Sequence, residues 1–244
     1  MIGGFPHRYE DSFFHHALEK LGQESKHHIT SSLFTLGGFP ITRIPKHFKS
    51  KCLDSNPDIV VLQFASCDLI VSIRGHRHSD RNVPIKPATA LDQLKWLIHG
   101  MAGDAFRMKP ATPPDVYLEI MGYLTRTLLE NHIVPVVMSP FVFGGRRSDR
   151  IARDCSGRLQ RALAAMPGTT FVDAYSALDR FPRPRMLLGD GSHLSIEGQR
   201  VVGDALLPCL KEVIDRRVQL PKRSAPTEML AATRPVSSPR ASLK

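Results

Sequence analysis

Long apolar runs are missing from this chain, and what is missing narrows its class before any motif is read. No stretch reaches the roughly 18 consecutive apolar residues of a membrane-spanning helix. Residues 1–7 lack the basic segment followed by an apolar one that marks a secretory leader, so the expected location is the cytoplasm. Cysteine is scarce: Cys52, Cys67, Cys155 and Cys209 stand far apart, with no C-x-x-C pair. That spacing suggests neither a disulfide framework nor a zinc site. The 11 histidines match no H-E-x-x-H or similar pattern. The adjacent pairs His15-His16 and His27-His28 would point apart on a helix. No metal and no cofactor is expected.

Acids are outnumbered as well, with 23 Asp and Glu against 33 Lys and Arg, a formal charge of +10. Part of the excess sits at the end of the chain, where Lys222, Arg223, Arg234, Arg240 and Lys244 face only Glu228. A basic balance can attract nucleic acid or anionic surfaces. The chain has no aromatic-interleaved basic motif of the RRM kind and no helix-turn-helix signal, so a nucleic-acid partner is not expected.

What is present suits one domain. The 244 residues are 42% hydrophobic, ordinary for a protein that buries a core. Short β-rich runs alternate with helical patterns. Residues 2–4 read as the end of a strand, and 10–21 as a helix with Phe13, Phe14, Ala17, Leu18 and Leu21 on one face. A strand is expected at 29–34 and a helix at 44–53. Residues 58–64 form the clearest strand, apolar enough to be covered on both faces. A charged loop at 74–87, a short helix at 88–99 and a further loop at 101–114 make an insertion of about 40 residues, long enough for a lid or binding loop. Helix 115–131, strand 133–138, helix 149–165, strand 169–173 and helix 195–216 follow, the last with Ser195 as its N-cap. After Gln219 the chain turns to Pro, Ser, Ala and Arg and reads as a disordered basic tail over 218–244. The alternation implies a parallel sheet with helices on both faces and a site at the carboxyl ends of the strands. There is no internal repeat.

Asp190 and His193 carry the chemistry. A spacing of three lets the carboxylate reach the imidazole, fix its tautomer and stabilise its charged form, freeing the other ring nitrogen as a general base. They stand in Asp190-Gly191-Ser192-His193-Leu194-Ser195-Ile196-Glu197-Gly198. This run resembles the last signature block of the SGNH (GDSL-like) hydrolases. Weaker pieces fall in the order of that family. Phe171-Val172-Asp173-Ala174 is similar to the strand before that block, and 135–140 to the fourth-strand segment. Gln63-Phe64-Ala65-Ser66-Cys67-Asp68 resembles the Gly-x-Asn-Asp block, and Gly37-Gly38 the glycine block. The likeness spans residues 1 to about 215. It implies an α/β fold, a three-layer flavodoxin-like sandwich around a central parallel sheet, over 1–217. It also implies hydrolysis of ester or acyl bonds in a small or carbohydrate-linked substrate. His193 would be the base, Asp190 its orienting acid, and Gly38 and the position of Cys67 the oxyanion hole.

Two positions depart from the family pattern. Where relatives carry the nucleophile in Gly-Asp-Ser, this chain has Gly3-Gly4-Phe5. The nearest serine is Ser12, the candidate nucleophile, in a segment that also reads as a helix start. Cys67 replaces the oxyanion-hole Asn, and a thiol is a weak donor. Losing one such donor typically costs roughly 10²–10³ in turnover. Beside the hydrolase, a catalytically degenerate relative serving as a binding module is the alternative.

Overall fold

The structure, a computed structural model, describes residues 9–34, 40–64, 68–71, 88–106 and 108–219. The expected strand end at 2–4, Phe5, Gly38, Cys67, the charged loop at 74–87 and the tail beyond 219 lie outside the described residues.

Helix α1 (Phe13–Glu24) starts where Ser12, in extended conformation, accepts a hydrogen bond from the backbone of His15. Phe13, Ala17 and Leu21 recur one turn apart and are buried. Helix α2 (Ile44–Lys51) has Pro45 in its first turn, where the missing N–H costs nothing. Strand β1 (Ile59–Leu62) follows, then α3 (Ala90–Ala105) and α4 (Pro114–Glu130). Strand β2 (Val134–Met138), α5 (Arg146–Ala164) and β3 (Thr170–Val172) come next. Two short helices, α6 (Ala174–Asp179) and α7 (Arg183–Met186), precede the 24-residue α8 (Ile196–Gln219).

Among the described residues the sheet has three parallel strands in the order β1-β2-β3, with Ile59 opposite Val134 and Val136 opposite Thr170. Parallel neighbours need crossover connections, which α3 with α4, and α5, supply. Helices α1 and α8 pack together, as do α4 and α5, and both pairs reach β2. Val136, Val137 and Met138 are fully buried, as a strand covered on both faces requires. From α4, Met121, Leu124 and Leu128 join this core; from α8, Val202, Leu206 and Val213 do. Each such side chain contributes about 1.5–3 kcal/mol on burial. The exposed side of α5 carries Arg150, Arg153 and Arg161.

The other edge of the sheet differs. Ile59, Val60 and Val61 are only half-buried. Beside them lies a cavity of about 600 Å³ lined by α1, α2, β1 and α8. Residues 29–34 run along it without joining the sheet, which corrects the expected strand there. Half of the segment is Ser and Thr, and a strand exists only through ladder hydrogen bonds, of which none ties it to β1. The expected loop from 101 is also corrected: α3 continues to Ala105. Gly100 and Gly103 each cost about 1 kcal/mol in a helix, which suggests an earlier end, but packing of α3 on α5 overrides that local preference. Helices α6 and α7 are additions; each is too short to show periodicity.

The described cysteines are free. Burial pushes the Cys52 thiol up to about 11 and Cys155, chiefly by burial too, to about 12. Both stay protonated and unreactive at neutral pH. No described helix is long and apolar enough to cross a membrane.

Candidate active site

The turn between α7 and α8 explains its own sequence. Leu187 and Leu194 form an isolated antiparallel bridge, and Leu188 N–H donates to His193 O at 2.8 Å. Gly191 N–H closes the tip on Leu188 O at 2.9 Å, with Gly191 at φ +70°, where a side chain is strained. Ser195 Oγ donates to Arg185 O and accepts from Gly198 N–H at 3.0 Å. It therefore caps α8, as its position suggests. Gly198 is fixed by closeness: a Cβ there would run into the carbonyl oxygen of Met186. The Leu-Ser-x-x-Gly part of the run is thus the seat of the turn and the start of the helix.

That seat holds Asp190 and His193 together. One carboxylate oxygen, Oδ1, accepts backbone N–H from Ser192 at 2.9 Å and from His193 at 3.0 Å. The other, Oδ2, is hydrogen-bonded to His193 Nδ1. The His193 side chain is 10% exposed and that of Asp190 25%. Burial alone would raise the Asp190 carboxyl, but the imidazole and the two backbone donors outweigh it and hold it down at about 2. Asp190 is therefore ionised at neutral pH, and with Nδ1 engaged by it, Nε2 of His193 is left to exchange protons with a substrate or nucleophile.

The loop leaving β2 braces this turn. Gly144 N–H donates to Gly191 O at 2.8 Å. Phe143 N–H donates to Asp149 Oδ1 at 3.1 Å, and Asp149 Oδ2 accepts from Tyr175 Oη at 3.0 Å and Arg183 at 3.1 Å. From α3, Trp96 Nε1–H donates to Gly189 O at 3.1 Å. Sequence reading missed these supports. Trp96 and Gly144 are far apart in the chain, and nothing in either segment announces the other.

Ser12 is placed differently. It is fully buried, and its hydroxyl accepts the His15 N–H at 3.1 Å. The next residue ties this helix start to α8, with Phe13 N–H donating to Gln199 Oε1 at 3.0 Å. Among the described residues no hydrogen bond joins Ser12 to His193. Asp68, from the block that resembles Gly-x-Asn-Asp, is buried and accepts from Ile41 N–H at 3.0 Å and Thr112 Oγ1 at 2.6 Å. It ties the start of the segment before α2 to the end of the insertion. Asp173 caps α6 through Ser176 N–H at 3.0 Å.

The architecture has known counterparts. The lipase/acylhydrolase of Enterococcus faecalis superposes with a TM-score of 0.57 at 16% identity, covering 92% of this chain and 94% of that one. A lipolytic protein of the G-D-S-L family from Desulfitobacterium hafniense gives 0.53 at 14% identity, over 85% and 93%. A catalytic mutant of an acetylxylan esterase from Geobacillus stearothermophilus gives 0.57 at 13% identity, over 83% and 80%. No protein-family model matches the chain, and no curated protein matches it in sequence. The chain has the α/β fold of the SGNH, or GDSL-like, type.

Proposed function

We propose that this protein hydrolyses ester or acyl bonds of a small or carbohydrate-linked substrate, with His193 as general base and acid and Asp190 orienting it. The observation that carries this reading is the Asp190–His193 hydrogen bond in a turn braced from three sides. Relatives in fold named as lipases, acylhydrolases and esterases support the same reaction class. In this reading a hydroxyl attacks the acyl carbon while His193 Nε2 takes its proton. The proton passes to the leaving alcohol as the carbon–oxygen bond breaks, and water then releases the acid by the same relay. Ser12 is the proposed source of the hydroxyl, and the Gly38 N–H and the position of Cys67 the proposed oxyanion hole. The cytoplasmic location expected from the sequence is part of the same proposal.

One observation favours a second reading, a degenerate relative that binds its ligand without cleaving it. Ser12 is fully buried and its oxygen already caps α1. An acyl carbon has no approach to it without movement of the helix start.

Intact mass after exposure to a fluorophosphonate probe separates the two. The hydrolase reading expects one adduct that is absent in His193→Ala, with peptide mapping placing it on Ser12. An adduct on another hydroxyl, still dependent on His193, keeps the hydrolase and replaces the nucleophile. No adduct on the folded protein supports the binding module.

A further inference from the structure

Helix α3 leaves an apolar face exposed. Leu91, Leu94, Ile98 and Met101 lie along its outer face and are 50–62% exposed. The opposite face carries Trp96, which is 9% exposed and inserts against the turn that holds Asp190 and His193. Its indole N–H is bonded to Gly189 O, the residue before Asp190. Its ring lies against Gly191, the residue after, and against Gly144, whose N–H bonds Gly191 O. A Cβ at either glycine would overlap the indole, so the fit leaves no slack. One turn earlier, Asp92 abuts Gly189 and is held there by Thr89 Oγ1 at 2.6 Å and Thr89 N–H at 2.9 Å. Both peptide neighbours of Asp190 are therefore pinned by one helix of the insertion.

We infer that Trp96 is a positioning residue that holds the Asp190 carboxylate on His193 Nδ1. The inference rests on the acid–base reading of that pair. Gly191 is in the left-handed region and Gly189 is also a glycine, so the backbone on both sides of Asp190 has few steric limits of its own. The indole supplies the limits: it fixes the orientation of the 189 carbonyl and blocks the 191 segment from moving toward α3. Without it, the peptides around Asp190 can rotate, and the carboxylate loses its alignment with the imidazole. A misplacement of about 1 Å at a reacting pair costs on the order of 10²-fold in rate.

The test uses Trp96→Ala, Trp96→Phe and, on the outer face of the same helix, Leu94→Ser. The first readout is the far-downfield proton NMR resonance of a histidine N–H bonded to a carboxylate, assigned by its absence in His193→Ala. The second is hydrolysis of an activated acyl ester. Trp96→Ala is expected to remove the resonance or broaden it by fast exchange, and to lower kcat by on the order of 10²-fold with KM little changed. Trp96→Phe keeps a ring against the two glycines but lacks the N–H, and is expected to retain the resonance with faster exchange and to lose less than about 10-fold. It carries the test if the alanine variant does not fold. Leu94→Ser is expected to move neither readout. A folded Trp96→Ala with the wild-type resonance and exchange rate would overturn the inference, as would equal losses in Leu94→Ser. If the wild-type protein cleaves no ester, the proposed function fails while the resonance still decides the role of Trp96.

Discussion

Ser12 and the Asp190–His193 turn, the two parts of the proposed site, are built to different standards. At Asp190–His193 the carboxylate accepts from two backbone N–H groups and is bonded to the imidazole, and three separate segments brace the turn: the loop after β2, α3 and the start of α8. At Ser12 a single hydroxyl sits buried at a helix start, bonded to its own helix. The same contrast runs through the sheet. Strand β2 is paired on both sides and fully covered, whereas β1 borders a cavity of about 600 Å³. The proposed acid–base role would tolerate little error in geometry, and this molecule surrounds Asp190–His193 with several restraints. The Ser12 side carries no comparable set among the described residues.

Substitutions at the braced side should give the largest effects. With hydrolysis as the activity, His193→Ala is expected to lower kcat by about 10⁶-fold, and Asp190→Asn by about 10⁴-fold through the wrong tautomer. Steady-state rates on an activated ester, with circular dichroism to check folding, measure both. A residual rate indifferent to His193 would remove the contrast altogether.

Packing should show the next largest difference. Met138→Ala, in the fully covered strand, is expected to cost about 3 kcal/mol of unfolding free energy in a urea titration. Val60→Ala, half-buried beside the cavity, is expected to cost less than about 1 kcal/mol. Equal losses would mean that the β1 edge is as well packed as the centre.

Protonation sharpens the comparison further. The folded Asp190 carboxyl is held at about 2 against an ordinary value of 3.8, so it stabilises the fold above about pH 4 and loses that contribution as pH falls toward 2. The contribution is about 2 kcal/mol. Acid unfolding midpoints of wild type and Asp190→Asn measure it, and the variant should show a shallower fall in stability over that window.

The smallest effect is expected at Ser12. Ser12→Ala removes a helix cap and should cost about 1 kcal/mol, with Ser12→Gly costing only a few tenths. A loss of activity far beyond that small loss of stability would make Ser12 more than a cap.

The Asp190–His193 hydrogen bond was legible in the sequence because the contact itself is local. Asp190, Gly191, His193, Ser195 and Gly198 lie within nine residues, and each is required by a contact inside that span or with the segment just before it. Helix α1 and strand β2 were legible for a similar reason, since periodicity and apolar runs report burial directly. Residues 29–34 misled because β-favouring residues such as Ile29, Thr30 and Phe34 suggest an extended segment, but not whether a neighbouring strand lies within reach of its backbone. Helix α3 outran its expected end because glycine counts against a helix locally, while the support from α5 comes from a distant part of the chain.

By itself, then, the sequence determined the longer helices, strands β1, β2 and β3, the α/β class and the Asp190–His193 pairing, which follow from local spacing. Tertiary structure alone decided that Trp96 closes on Gly144, Gly189 and Gly191, that Asp149 anchors the loop after β2, and that Ser12 is buried. The physical reason is that burial and cross-chain hydrogen bonds depend on which surfaces meet, and residues dozens of positions apart carry no mark of each other until the chain has packed.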